Sequence, residues 1–253
     1  MKILLTNDDG YTSEGLTVLS DALVAAGHEV WVCAPSVERS ASSHAMTLHQ
    51  EVTITEFGTM RYHCSGTPVD CILYATRAKV FDHHPDLVIS GINHGFNIST
   101  DILYSGTVAA AREAALTGLK AIAVSCSRDK ERNFPFARTA AFVVEHLDQF
   151  SALASPDCVI NINVPGEGNG EWRSGFPAYL DYHDSVERRE MGGADERSAV
   201  LALRGGVAPS QRCDTAQSDF QLLQAGYTSV TALAILPPVQ EAIQQRLEAM
   251  SRE

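Results

Sequence analysis

The sequence predicts an α/β protein: a Rossmann-like, doubly wound, mostly parallel sheet, followed by a C-terminal hairpin and helix extension. Three observations predict it. Residues 1–35 run strand, loop, helix, strand, which is the opening unit of such a sheet. Short apolar runs then alternate with amphipathic segments of helical length as far as Pro165. Most of the strand-like runs stop at Gly, Pro, Asn or Asp, the residues that punctuate elements.

Each element follows from its own residues. Ile3-Leu4-Leu5 is a buried-strand pattern, broken at Asn7-Asp8-Asp9-Gly10. Residues 14–26 read as a helix, because Leu16, Leu19, Leu23 and Val24 recur at helical spacing and Gly27 supplies the stop. Residues 29–34 form a second strand, ended by Pro35. Residues 37–48 are rich in Ser, Ala and His without periodicity, which predicts a loop able to carry function. Residues 51–57 and 60–64 alternate as an antiparallel pair about Gly58-Thr59. Thr67-Pro68 starts a helix over residues 69–79, with proline in its first turn. Residues 86–90 make the third parallel strand, ending at Gly91-Ile92-Asn93-His94-Gly95. Ser105-Gly106-Thr107 opens an alanine-rich helix over residues 108–116, capped by Gly118. Residues 121–125, 137–150 and 159–164 continue as strand, helix and strand.

Beyond Gly166 the patterning weakens. Residues 166–220 read as a hairpin excursion or an oligomer contact, 218–224 as a short helix, 228–233 as a late strand and 241–250 as a terminal helix. No linker-like segment divides the chain, so residues 1–253 form one domain, with a core over 1–165 and an extension over 166–253.

Composition narrows the function. A net charge of -12 repels a polyanion and disfavours long nucleic acid as the principal partner. The six cysteines show no CxxC pair and no zinc spacing, which points to reduced structural thiols. The N-terminus has too short an apolar run for a signal peptide, and no segment approaches the ~20 apolar residues of a membrane helix. The expectation is a cytoplasmic protein without membrane contact.

Four segments carry candidate chemistry. Asp8 and Asp9 follow the first strand, at the carboxyl edge where α/β sheets bind ligands. Adjacent carboxylates repel unless a cation neutralises them, and a hard divalent ion does so with oxygen ligands. An ordinary Asp-Gly turn would use the same residues. Asn7 adds an oxygen or an orienting amide. Ser90-Gly91-Ile92-Asn93-His94-Gly95-Phe96-Asn97 lies past another parallel strand at the same edge, and asparagine oxygens suit magnesium, manganese or calcium. Ser105-Gly106-Thr107 at a helix start reads either as an anion site or as N-capping. In the 37–48 loop, Ser40 is within reach of a metal and His44 suits acid–base work, while composition alone favours a plain solvated loop. There is no Walker lysine, no GxGxxG and no Asp-x-Asp of the dehalogenase type, and the third strand ends in Ser90-Gly91 where a receiver domain needs its phosphoacceptor aspartate.

In order and spacing, Asn7-Asp8-Asp9-Gly10, Glu38-Arg39-Ser40 with His44, Gly66-Thr67-Pro68-Val69-Asp70-Cys71, the run from Asp86 to Asn97, and Leu103-Tyr104-Ser105-Gly106-Thr107 with its alanines closely resemble the SurE family of nucleotidases. The resemblance covers residues 1–126. It continues more loosely through Asn161 to Pro165, Asp214-Thr215, Asp219 and Gly226 to Thr231. It implies hydrolysis of nucleoside 5'- and 3'-monophosphates by a homodimer or homotetramer, with one divalent metal ion per subunit, magnesium or manganese. It implies metal ligation by Asp8, Asp9, Ser40 and Asn93, with the two aspartates catalytic. It implies phosphate contacts from Asn97, Ser105, Gly106 and Thr107. Ser42-Ser43-His44-Ala45 departs from the family's usual pattern of a glycine before the histidine and a serine after it.

Overall fold

The structure is a computed structural model that describes residues 1–78, 84–190, 199–205, 209–212, 217–238 and 240–250. β1 (Lys2–Thr6), α1 (Glu14–Ala25) and β2 (Glu29–Pro35) open the chain; β3 (Ile54–Gly58), β4 (Arg61–Cys64), α2 (Pro68–Arg77) and β5 (Leu87–His94) follow. A 3-10 turn (Ser99–Leu103), α3 (Gly106–Leu116), β6 (Ala121–Cys126), α4 (Phe136–Leu153) and β7 (Cys158–Val164) complete the core. The extension holds β8 (Trp172–Ser174), β9 (Leu180–Asp181), β10 (Ser185–Glu190), β11 (Ala199–Arg204), β12 (Ser210–Gln211), α5 (Asp219–Gln224), β13 (Thr228–Ala234) and α6 (Glu241–Met250).

Among the described residues one nine-stranded sheet has the order β3-β4-β2-β1-β5-β6-β7-β13-β8. The strands from β4 through β7 are mutually parallel. The chain winds from β1 to β2 in one direction and then crosses to β5 on the other side of β1. The topological switch therefore lies between β1 and β5, and the crevice above their carboxyl ends is the default ligand site.

Strand alternation divides the core into two layers. Ile3 and Leu5 pack with Leu16, Leu19 and Leu23 of α1 and with Val143, Leu147 and Phe150 of α4. Leu4 faces the other way, onto Ile72 of α2 and onto Val108, Ala111 and Ala114 of α3. The alanines keep α3 close to the sheet, and that close approach matters at its N-terminus.

The structure corrects several expectations. Val24 is 53% exposed rather than part of the buried face. One residue past Leu23 turns the helix by about 100°, away from the sheet. The third parallel strand does not stop at Ser90; it runs to His94 through a register irregularity between Ser90 and Asn93. Gly91 permits this, because its φ is +142° and a Cβ there would lie 2.3 Å from the Val124 carbonyl oxygen. α2 ends at Arg77 with Ala78 as its cap, and Lys79 lies outside the described residues. The late strand β13 joins the main sheet antiparallel to β7 and pairs with β8 on its far side. β10 and β11 form the expected hairpin, and β9 pairs with β12. Asp214-Thr215 lies outside the described residues.

Besides the β13–β7 pairing, a buried carboxylate ties the extension to the core. Asp219 heads α5 with no exposed surface and accepts from Ser99 N at 2.8 Å, from the Ser99 hydroxyl and from Phe220 N. Burial pushes its carboxyl up, and the Ser99 bonds oppose that.

Candidate functional site

The exit from β1 is a built turn. Asn7 Nδ2 donates to Gly10 O at 2.9 Å and to Ser13 Oγ at 2.6 Å, while Gly10 N donates back to Asn7 Oδ1 at 3.2 Å. Ser13 in turn caps α1. Asn7 is thus consumed in shaping the turn, and it leaves Asp8 and Asp9 projecting from a fixed backbone.

Asp8 is turned inward and is 4% exposed. Its Oδ2 accepts from Thr107 N at 3.1 Å and its Oδ1 from the Thr107 hydroxyl. Burial pushes this carboxyl up to about 6; the Thr107 hydroxyl pulls it down and the neighbouring Asp9 charge pushes it up again. A Cβ on Gly106 would lie 2.8 Å from Asp8 Oδ2 and 2.7 Å from Ser42 Oγ, so only glycine lets the helix start come this close. Ser105 Oγ accepts from Val108 N at 3.0 Å as an N-cap. The anion at the head of α3 is therefore the chain's own Asp8, and the backbone donors of Thr107 and Val108 are already engaged.

Asp9 faces the crevice between β1 and β5. His94 Nδ1 lies 2.6 Å from Asp9 Oδ1, and His94 N donates to Asp9 Oδ2 at 3.3 Å. The bond to Asp9 raises the His94 pKa, against the opposing effect of burial. The imidazole stands edge-on to Phe134 and Phe136, with centroids 4.8 and 5.2 Å away. The Arg128 guanidinium lies over Phe134 at 4.8 Å. Asp9, Glu38, Ser40, His94, Arg128 and Phe134 line one cavity of about 350 Å³.

Of the remaining expected residues, Ser40 alone is in the lining of this cavity. Ser40 donates its hydroxyl to Glu38 Oε1 at 2.8 Å. Its neighbour Arg39 donates its backbone N–H to Asp8 O at 2.7 Å, which ties that loop to β1. Asn93 is half-buried beside His94, and its Nδ2 donates to Gly95 O at 3.0 Å. Asn97 sits farther along, over the ends of β6 and β7. Its Nδ2 donates to Ser125 Oγ at 2.9 Å and its N to Asn163 Oδ1 at 2.8 Å, while its carbonyl accepts from Asn161 and Asn163. His44 is not in the cavity; its Nε2 lies 2.9 Å from Glu113 Oε2 on α3. That pair straps the loop to α3, and Ser43 N donating to Tyr104 O at 3.0 Å ties it to the end of the 3-10 turn before that helix.

Sequence reasoning gave no role to His94, Glu38, Arg128 or Phe134. His94 sits next to Asn93 and was available as a signal. Arg128 lies two residues past β6 at the same carboxyl edge, which is where the sheet rule says to look.

The four expected ligands offer only oxygen, the donor set of a hard divalent cation. Two adjacent carboxylates, one of them buried with a raised pKa, are the electrostatic defect that such an ion would relieve. The described residues hold no cluster of three or more His, Cys, Asp or Glu placed to bind a metal. A set with two carboxylates, one serine and one asparagine is compatible with that.

The family model for survival protein SurE matches residues 3–178. The chain belongs to the SurE family. A protein from Erythrobacter litoralis named 5'-nucleotidase SurE is 38% identical over 239 residues, covering 93% of this chain and 94% of that protein. A protein of the same name from Treponema pallidum is 47% identical over 168 residues, covering 65% of this chain and 90% of the relative. The crystal structure of the SurE protein from Aquifex aeolicus superposes with a TM-score of 0.82 at 27% identity, covering 99% of this chain and all of that one. The segment matched by the family model contains the Asp8–Asp9 turn, the Ser40 loop, the Asn93–Asn97 run and the head of α3.

Proposed function

We propose that this SurE-family chain is a divalent-metal-dependent phosphomonoesterase that hydrolyses nucleoside 5'-monophosphates, and 3'-monophosphates as well, to nucleoside and phosphate. The observation that carries it is the Asp8–Asp9 pair at the β1/β5 switch point, with Asp9 sharing a cavity with the one permanent cation of its lining, Arg128. The curated relatives named 5'-nucleotidase support the substrate class.

In this reading Asp8, Asp9, Ser40 and Asn93 hold one Mg²⁺ or Mn²⁺ ion, which supplies Lewis-acid stabilisation of the phosphoryl oxygens. Thr107 fixes the rotamer of Asp8. His94 fixes Asp9 through its ring nitrogen and its backbone N–H. Arg128, whose guanidinium lies over Phe134, offers paired N–H donors to phosphate oxygens from the lining it shares with Asp9. Asn97 and the Ser105-Gly106-Thr107 turn frame the phosphate site; the turn acts by placing Asp8, since its donors serve Asp8 and the helix cap. Either aspartate suits the role of orienting the attacking water.

We assign assembly to the extension. Val186, Leu201 and Leu203 of the hairpin expose apolar side chains, as an interface between copies in a homodimer or homotetramer requires. Free thiols at Cys33, Cys64, Cys71, Cys126 and Cys158 suit the reducing cytoplasm. Among the described residues no helix is long and apolar enough to cross a membrane.

The test is phosphate release from a panel of 5'- and 3'-nucleoside monophosphates after EDTA treatment, with and without Mn²⁺ or Mg²⁺. Metal-restored release is expected. No release from folded protein with either metal overturns the reading.

A further inference from the structure

The segment Gly66-Thr67-Pro68-Val69-Asp70 takes no part in the chemistry above, yet its aspartate is 1% exposed. Part of its role is local. Asp70 is the third residue of α2, and its Oδ2 accepts from Thr67 N at 2.8 Å while Asp70 N donates to Thr67 Oγ1 at 3.2 Å. That is a capping box, and it leaves most of the carboxylate's acceptor capacity unused. The rest is directed to a residue 23 positions upstream: Thr47 N donates to Oδ1 at 2.9 Å and the Thr47 hydroxyl to Oδ2 at 2.6 Å. Gly66 makes room for this, because a Cβ there would lie 2.3 Å from Asp70 Oδ2.

Thr47 lies in the loop that bears Ser40, and the segment between β4 and α2 grips that loop on both sides of Ser40. Before it, Ser36 N donates to Cys64 O at 2.7 Å and the Arg39 guanidinium to Ser65 O at 2.9 Å. After it, the Thr67 hydroxyl donates to Ala45 O at 2.7 Å and Asp70 holds Thr47. Ser40 itself is exposed, and its hydroxyl donates to Glu38 of the same loop. Packing therefore does not place it; the shape of the loop does. That shape includes Ala41 and Ser43 at φ of 56° and 54°, a region that side chains other than glycine occupy only when the surroundings hold them there.

We infer that Asp70 is a positioning residue for the metal site: through Thr47 it fixes the loop shape that brings Ser40 into the cavity it shares with Asp9. This rests on the metal-dependent reading for the role of Ser40, and the experiment separates the two.

Three variants of the full-length chain are compared with the wild type. Thr47→Val removes the hydroxyl bond and leaves the cap of α2 in place. Thr47→Ser keeps the hydroxyl. Asp70→Asn sets an amide N–H against one of the donors whichever way it is flipped. Metal-free protein is titrated with Mn²⁺ by calorimetry, and hydrogen exchange is followed at the bonded amides of Arg39, Ser42 and Ser43. Thermal unfolding confirms that each variant is folded. Thr47→Val and Asp70→Asn are expected to weaken Mn²⁺ binding about 10–100-fold, the scale for losing an outer partner of a metal ligand, and to speed exchange at those amides. Thr47→Ser is expected to match the wild type. In a Ser40→Ala background, Thr47→Val is expected to cost no further affinity, because its effect passes through Ser40. Unchanged Mn²⁺ affinity in both folded variants, or the full loss again in the Ser40→Ala background, overturns the inference and leaves the metal reading intact. A wild type that takes up no Mn²⁺ overturns the metal reading; faster exchange in Thr47→Val then still supports Asp70 as the holder of the loop, and unchanged exchange overturns both.

Discussion

Thr107 holds both oxygens of Asp8, one through its hydroxyl and one through its backbone N–H at 3.1 Å. A residue at the head of α3 thereby sets the orientation of a carboxylate that the chain delivers from the end of β1. Replacing Thr107 by valine keeps the shape and the N–H but strands a buried oxygen. The variant is expected to lose about 1–3 kcal/mol in urea unfolding and to lose turnover beyond what its folded fraction explains. Unchanged kcat would remove Thr107 from the positioning role.

Asp8 also predicts how stability depends on pH. In metal-free protein its carboxyl stays protonated to about pH 6, against about 3.9 in an unfolded chain. The fold binds the extra proton, so this group's contribution is fully present below the unfolded value and is lost as pH rises through about 6. Asp8→Asn is uncharged throughout. It should match the wild type near pH 3.5 and be more stable at pH 7 by about 3 kcal/mol, the worth of two pKa units. Mn²⁺ should narrow that gap, and activity should fall more than about 100-fold, the scale of disabling a metal site. A gap that is absent, or that opens toward acid, contradicts the burial argument.

Arg128 is exposed and lies over Phe134, so its removal should leave the fold alone. Arg128→Ala is expected to raise KM for nucleoside monophosphates by about 10–100-fold, the worth of a charge-assisted bond. Arg128→Lys should recover only part of that, because an ammonium cannot make the paired contact. Steady-state kinetics checks both, and equal KM in all three proteins would mean the guanidinium does not touch substrate.

Asp219 joins extension to core with no exposed surface. Asp219→Ala leaves the Ser99 and Phe220 donors buried without a partner, and about 3 kcal/mol or more of stability should go with it. Hydrogen exchange should show the loss concentrated in α5 and in the segment after β5. Protection spread evenly over the sheet would argue against this local joint.

The hairpin prediction is read by mass. Light scattering on the wild type should give a multiple of 27.3 kDa, and Leu201→Glu with Leu203→Glu should shift it toward the monomer. A monomeric wild type would assign those exposed leucines to another partner.

The core was legible because its signals are local. The apolar triplet of β1, the Thr67-Pro68 start of α2 and the alanines of α3 each announce their element within a few residues. The doubly wound rule sends the Asp8-Asp9 turn and the run from Ser90 to Asn97 to one edge, whereas Ser40, and Asn93 ahead of Asn97, were singled out only by the resemblance to the SurE family. The roles of Thr107 and His94 were not legible: one partner of each contact is 99 or 85 residues from the other, and a short sequence window sees a cap or a turn. The extension was read least well. Strands as short as Leu180–Asp181 carry no period, and β13 owes its place to β7 rather than to its own pattern.

The strap from His44 to Glu113 has a dynamic consequence. The loop bearing Ser40 is latched to α3, and α3 in turn grips Asp8 at the end of β1. Opening of the loop therefore has to break the His44–Glu113 pair as well as the backbone bonds from Arg39 to Asp8 and from Ser43 to Tyr104. A displacement of the loop is thereby felt at the head of α3, and through Thr107 at the Asp8 carboxylate.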